Sequence, residues 1–427
     1  MIPYSERSRE ELLAMKEELE RQYKDACGKG LKLDMSRGKP AGEQLDMTMP
    51  MMDIFNRDFD MRDETGMDVR NYGNLEGILG ARRLLGEMLG LKPEQVIVFG
   101  TASLSVMYDS ISRSMTHGVM GSTPWCKLDK VRFLCPAPGY DRHFAITEHF
   151  GIEMITIPMD ENGPDMDMVE EYVKDPSVKG IWCVPMYTNP LGITYSAEVC
   201  RRMADLNPAA ADFRIYWDNA YCVHHLYEDR QDSLPEMLSM CAANGKEDMI
   251  LEFASTSKIS FAGAGISCIA ASQGNLEWVR ESMTIQIISH DKINQLRHVL
   301  YFKDLDGIKE HMKKHAAIMR PKFELVIETL ERELGGLGIG TWTRPLGGYF
   351  ISFNALDGCA RAIVARCREA GVTLTGAGAT FPYKQDPHDS NIRIAPSYPT
   401  LEELKVTAEL FTLCVKLVSV EKLLAEK

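Results

Sequence analysis

Met249-Ile250-Leu251-Glu252-Phe253-Ala254-Ser255-Thr256-Ser257-Lys258 is an apolar run of strand length that stops in hydroxyl side chains and a lysine. A lysine placed where a buried strand ends loses hydration, and its amine then becomes partly deprotonated and nucleophilic. Lys258 is on that ground a candidate Schiff-base lysine, and the hydroxyls of Ser255 and Ser257 suit a phosphate. A lysine after a strand is more often a solvated loop residue, so the segment gains meaning only from others like it.

Three more segments in the same half of the chain share the pattern. Val96 to Phe99 leads into Thr101-Ala102-Ser103, Ile181 to Met186 into Tyr187-Thr188-Asn189-Pro190-Leu191-Gly192, and Phe213 to Trp217 into Asp218-Asn219-Ala220-Tyr221. Helical stretches alternate with the strands at Glu76 to Leu89, Leu104 to Met115, Met166 to Val173, Ala197 to Asp205 and Leu276 to Ile287. This alternation predicts an α/β architecture, a mostly parallel sheet flanked by helices. Ligands of such sheets bind beyond the carboxyl ends of the strands, so the four endings can converge on one site.

The endings carry the groups that pyridoxal phosphate (PLP) needs. A carboxylate against the pyridine nitrogen keeps the ring protonated and electron-withdrawing, and Asp218 is the candidate; a helix cap or turn is its other reading. Asn189 and Tyr221 can hydrogen-bond the ring's phenolate oxygen, although Asn189-Pro190 alone is a turn signal. Thr101, Ala102 and Ser103 open a helix whose N–H groups can hold a phosphate, and capping explains Thr101 equally well. Tyr140, in Pro136-Ala137-Pro138-Gly139-Tyr140, is a candidate to stack on the ring, with packing the alternative. Arg393, among apolar neighbours in Asn391-Ile392-Arg393-Ile394-Ala395, suits a substrate carboxylate or an internal Asp or Glu.

A chain of 427 residues suggests two domains. Lys and Arg number 48 against 61 Asp and Glu, a net charge of −13 without any basic block, which argues against nucleic acid or a membrane surface as partner. No apolar run is long enough for a membrane span and no basic-then-apolar leader opens the chain, so a cytoplasmic location is expected. The eleven cysteines form no C-x-x-C pair and read as reduced thiols. His311 and His315 share a helix face and His224-His225 are adjacent, yet no third ligand follows at a zinc-like interval; core or surface histidines, and no metal, are expected.

Past Asp306 the pattern changes. Ile308 to Leu334 is helical, with Pro321 expected to kink or break it. β-like runs at Gly348 to Phe353, Val372 to Leu374 and Asn391 to Ala395 mix with helices at Cys359 to Ala370 and Leu401 to Leu424. Ser5 to Ala26 reads as an amphipathic helix and Leu31 to Pro50 as an ordered loop. The expected division is a large domain of 51–310 and a smaller α+β domain made of 1–50 and 311–427.

Tyr72-Gly73, Asn189-Pro190-Leu191-Gly192, Asp218-Asn219-Ala220-Tyr221, Ser255-Thr256-Ser257-Lys258, Gly347-Gly348-Tyr349-Phe350 and Asn391-Ile392-Arg393-Ile394 together resemble the class I and II aminotransferases of PLP-dependent fold type I. Ser36-Arg37-Gly38-Lys39-Pro40, Pro138 to Phe144 and Ser257 to Gly265 resemble more narrowly the type Ic bacterial aspartate aminotransferases, a subgroup similar also to the aminotransferase-like part of MocR regulators. The resemblance implies a homodimer with shared sites and a small domain that closes on substrate. It implies that Tyr72 reaches the phosphate of the neighbouring subunit's cofactor, that Gly38 lies in the loop over the substrate, and that Arg393, with Asn189 beside it, binds the substrate carboxylate. The implied reaction is ping-pong transfer of an amino group from an amino acid, aspartate by subgroup, to 2-oxoglutarate, with Lys258 moving the proton. Arg37, Lys39 and Arg142 are candidates for a second carboxylate. One departure stands out: Ala262-Gly263-Ala264-Gly265-Ile266-Ser267 lacks the family's phosphate-binding arginine, for which Lys292 is a candidate substitute. Rival readings are another amino-acid specificity, a β-lyase or decarboxylase, and a non-catalytic PLP-binding sensory module. The module expects a basic helix-turn-helix domain ahead of it, for which residues 1–30 are too short.

Overall fold

Ile250–Ser255, Arg214–Asp218, Val178–Cys183, Arg132–Ala137 and Glu153–Asp160 lie side by side, parallel and in that spatial order, in the computed structural model, which describes residues 2–427. Arg214–Asp218 and Val178–Cys183 are buried at every residue. Helices cover both faces of such strands, which is why they read as continuous rather than alternating apolar runs. Side chains still alternate across the sheet: Tyr216 joins Trp182 and Phe253 in the apolar cluster on one face, and Trp217 joins Cys183 and Ile215 in the cluster on the other.

Ser267–Ala271 runs antiparallel between Ile250–Ser255 and Val96–Phe99, and Gly163–Pro164 closes the far edge antiparallel to Glu153–Asp160. Two successive reversals leave Val96–Phe99 pointing the same way as the parallel five. The four strand endings singled out in the sequence therefore leave the sheet on one side.

A separate apolar cluster gathers Phe323, Phe353, Ile363 and Phe411. Its sheet has the order Gly340–Trp342, Ile351–Ala355, Asn391–Ile394, all antiparallel. Helix Arg9–Cys27 packs on helix Leu401–Glu426. Both helices begin with a capping box, Ser8 with Glu11 and Thr400 with Glu403, so each start is fixed by local sequence. Among the described residues no helix is long and apolar enough to cross a membrane.

Three expectations need correction. Leu31 to Pro50 is not simply a loop: Leu33–Asp34 pairs in parallel with Val372–Thr373, and Gly42–Asp46 is a short helix. The strand expected from Gly348 begins at Ile351, because Gly348 takes a φ of 79° that no strand accommodates. Pro321 does not break its helix, which runs unbroken over Leu305–Leu334. A proline inside a helix costs about 3 kcal/mol. Met319, Phe323 and Val326 are each at least 97% buried along that helix, and burial at about 1.5–3 kcal/mol per side chain outweighs the lost bond.

Candidate active site

The loops leaving the sheet enclose a cavity of about 630 Å³. Ala102, Ser103, Asn189, Asp218, Ser255 and Lys258 open into it, each from a segment that ends one of the four strands. Ser257, Tyr221, Tyr140, Gly38 and Arg393 also line it. The lysine amine stands over the Tyr221 ring, 5.0 Å from its centroid. Loss of solvent lowers the Lys258 pKa, partly opposed by the negative Asp218 and assisted by the positive Arg393.

Asp218 ends its strand at 3% exposure. One carboxylate oxygen, Oδ2, accepts from His143 Nε2 at 3.1 Å, while Oδ1 is buried with no hydrogen-bond partner among the described residues. Neither oxygen caps a helix. A buried acceptor left without a donor is costly, so this atom is suited to a ligand N–H. His143 stacks on Trp182, with centroids 4.4 Å apart and planes at 12°. The sequence reading assigned it no role. A polar side chain on the buried face of helix Asp141–His149, beside Phe144, was the available signal.

Helix Ser103–His117 starts without a side-chain cap. The capping alternative for Thr101 is thus not adopted, and the first amides of the helix remain available at its positive end. Thr101 contributes its carbonyl, which accepts from Ser257 Oγ at 3.0 Å, and its side chain does not line the cavity. Ser255 Oγ in turn donates to Ser257 Oγ at 3.1 Å. Tyr140 lies edge-on to His143 with centroids 4.9 Å apart, and burial raises its phenol pKa.

Arg393 makes the internal ion pair that its sequence reading allowed, and it also lines the cavity. Nη1 donates to Asp141 at 3.0 Å and to Asn189 Oδ1 at 3.1 Å, and Nη2 donates to Thr375 Oγ1 at 3.2 Å. The guanidinium also faces the Phe350 ring at 4.8 Å. Its Nε is buried without a partner among the described residues. Asp141, Thr375 and Phe350 were not identified from sequence; all three line the cavity.

Some candidates fall outside. Tyr72 is 78% exposed and does not line this chain's own cavity. Lys292 donates to the Gly73 carbonyl at 2.8 Å, away from the cavity wall, and so does not replace the missing arginine there. Lys39 sits over the Tyr398 ring at 3.8 Å. Arg37 and Arg142 do line the cavity, exposed and in no ion pair among the described residues.

Comparison with known proteins agrees with this arrangement. A family model described as aspartate amino-transferase matches residues 7–427. A putative aminotransferase of Mycolicibacterium smegmatis is 46% identical over 422 residues, 98% of each chain. An aspartate aminotransferase of Corynebacterium glutamicum is 44% identical over 409 residues, 95% of this chain and 94% of that one. The crystal structure of an aspartate transaminase from C. glutamicum superposes with a TM-score of 0.96 at 42% identity, covering 99% of both chains. Likeness of that extent, in a chain whose strand endings gather a desolvated lysine, a buried acid and an arginine around one cavity, makes this protein an aminotransferase of the aspartate aminotransferase family.

Proposed function

We propose that the chain binds PLP in the 630 Å³ cavity and transfers the amino group of aspartate to 2-oxoglutarate by a ping-pong route. The observation that carries this reading is the pairing of the desolvated Lys258 amine with the unpartnered Asp218 Oδ1 in one cavity. The residues fit the group: an amine for its aldehyde, an orphaned carboxylate oxygen for its ring nitrogen, and uncapped helix amides with serine hydroxyls for its phosphate. When bound, PLP supplies a carbonyl for the substrate nitrogen and a conjugated ring that delocalises charge.

The chain's own groups do the rest. Asp218 holds a proton on the ring nitrogen, and His143, donating to Oδ2, keeps that carboxylate oriented. Lys258 Nζ, kept partly neutral by burial, would act as the base that removes the proton from the substrate Cα and as the acid that returns it. Asn189 and Tyr221, which line the cavity, would hold the ring oxygen by hydrogen bonds. Arg393 takes the α-carboxylate, for which its partnerless Nε and its bond to Asn189 orient it. The free cations Arg37 and Arg142 on the rim support a second carboxylate on the substrate. Residues 1–50 and 311–427 close over residues 51–310, bringing Gly38 down on the substrate. A homodimer completes the site, the exposed Tyr72 ring reaching the other copy's phosphate group.

Borohydride reduction of the holoenzyme followed by peptide mapping tests the core of this reading: the label is expected on Lys258, and a label on another lysine overturns it. Turnover of aspartate, alanine and phenylalanine tests the substrate; preference for either of the last two removes the dicarboxylate assignment.

A further inference from the structure

Ile259, next to the lysine, is fully buried, and among the described residues no backbone N–H reaches its carbonyl. That oxygen meets His311 Nε2 at 2.9 Å. One turn along the same helix, His315 places its Nε2 3.0 Å from His311 Nε2. The tautomers follow from the donors and acceptors around them. Gln44 Oε1 accepts from the Ala41 N–H at 2.9 Å, which orients the amide so that Nε2 donates to His315 Nδ1 at 2.9 Å and to Tyr349 Oη at 3.2 Å. His315 Nδ1 is thereby an acceptor, and its proton resides on Nε2. His311 carries its proton on Nε2 to meet the carbonyl, so the 3.0 Å approach of the two Nε2 atoms is a packing contact between donors and not a hydrogen bond. Both rings stay neutral, because burial pushes His315 down to about 3 and His311 below its ordinary value.

The His311 N–H is thus directed at the backbone beside Lys258, the His315 ring lies against His311, and the amide that fixes His315 also holds Ala41 and Tyr349. Ala41 follows the loop that carries Gly38, and Tyr349 precedes Phe350 of the cavity wall. We propose that His311, His315 and Gln44 are positioning residues, a buried polar staple that sets the direction of the Lys258 amine and ties it to the loop over the substrate. The inference rests on Lys258 being the reactive amine. An i,i+4 histidine pair that lacks further metal ligands gains a purpose from it: His311 donates to the peptide group beside the lysine, and His315, fixed by Gln44, packs against it from one turn away.

The test compares holoenzymes of His311→Leu, His311→Gln and Gln44→Met with the unmodified chain. Leucine offers no donor, whereas glutamine restores an N–H; methionine removes the Gln44 donors with little change of volume. Misplacing a reacting group by about 1 Å costs up to about a hundredfold, so His311→Leu is expected to lower kcat by about ten- to a hundredfold with little change in KM. The pH midpoint of the bound cofactor's visible absorbance is expected to move in the same variant, and both effects to be largely reversed in His311→Gln. Gln44→Met is expected to show the same pattern more weakly, and it decides the matter if His311→Leu does not fold. Unaltered kcat and absorbance midpoint in folded His311→Leu or Gln44→Met, with only thermal stability reduced, overturn the staple. Borohydride trapping in each protein separates the two levels: label on Lys258 with unaltered kinetics rejects the staple alone, and label elsewhere rejects the reading of Lys258.

Discussion

Gly38→Ala is the most informative small change, because glycine is demanded there by close approach to a ring. A Cβ at position 38 would lie 2.3 Å from Phe350 Cζ, 2.6 Å from Cε1 and 3.2 Å from Cε2. Non-bonded carbons settle at about 3.5–4.0 Å, so the ring or the loop must yield by about 1.2 Å. The ring cannot yield alone: its face is 4.8 Å from the Arg393 guanidinium, which is tied to Asp141, Asn189 and Thr375. Overpacking of this kind costs about 1–3 kcal/mol, equivalent to about 5- to 150-fold at 1.36 kcal/mol per decade. Steady-state kinetics with aspartate are expected to show kcat/KM reduced within that range, mainly through KM, since under the proposed function the guanidinium contacts the bound carboxylate before and during reaction. Phe350→Leu removes the atoms that clash, so the double variant is expected to recover at least half of the loss on a logarithmic scale. A Gly38→Ala enzyme within about twofold of the parent in kcat/KM, or a double variant without relief, would refute the steric argument.

Other consequences are equally measurable. Asp218→Asn, which removes the charge proposed to face the ring nitrogen but keeps a partner for His143, is expected to reduce the single-turnover rate by about a hundredfold or more; a rate near the parent's contradicts the assignment. Arg393→Lys retains a cation for Asp141 but loses the planar fork, so KM for the amino acid is expected to rise about tenfold or more while thermal stability changes little. An unchanged KM would place the carboxylate elsewhere. Acid stability follows from the buried imidazoles: His298 is pushed down to about 4 and His315 to about 3, both by burial, from an ordinary 6.5. The unfolded chain then binds more protons than the folded one below pH 6.5, so stability is full above that value and falls as pH drops toward 4. Two such groups give a slope of up to about 2.7 kcal/mol per pH unit, to be read from urea midpoints between pH 7 and 5. A flat profile, with His298→Gln behaving like the parent, would contradict it.

The parts of the site that were legible in the sequence share one property. Asp218, Lys258, Asn189 and Ser103 each sit within a few residues of the end of an apolar strand, so a local pattern announces them. Parallel strand direction then brings them to one edge, a consequence of fold class and not of any residue. His143 and Asp141 carry no such mark. They meet Asp218 and Arg393 across separations of 75 and 252 residues; the first pairing depends on how a helix packs on the large sheet, and the second on how the smaller sheet is set against it. The histidines of helix Leu305–Leu334 were visible as a pair but not as donors, because their acceptor is a main-chain oxygen, which every residue possesses. Pro321 misled for a different reason: propensity is a local term, and the burial that overrides it comes from both apolar clusters at once.

That helix belongs to two cores. Ile308 and Met312 pack behind the large sheet, while Met319, Phe323 and Val326 pack beneath the small one. The rung that Pro321 cannot form is the one to the Ala317 carbonyl, between the two groups. The rod is therefore most compliant at the crossing, and the closure proposed above would be taken up as curvature in a leaf spring instead of unravelling a connecting loop. Elastic recoil of that spring would help reopen the site for product departure, and amide exchange should be fastest along the rod near the missing rung.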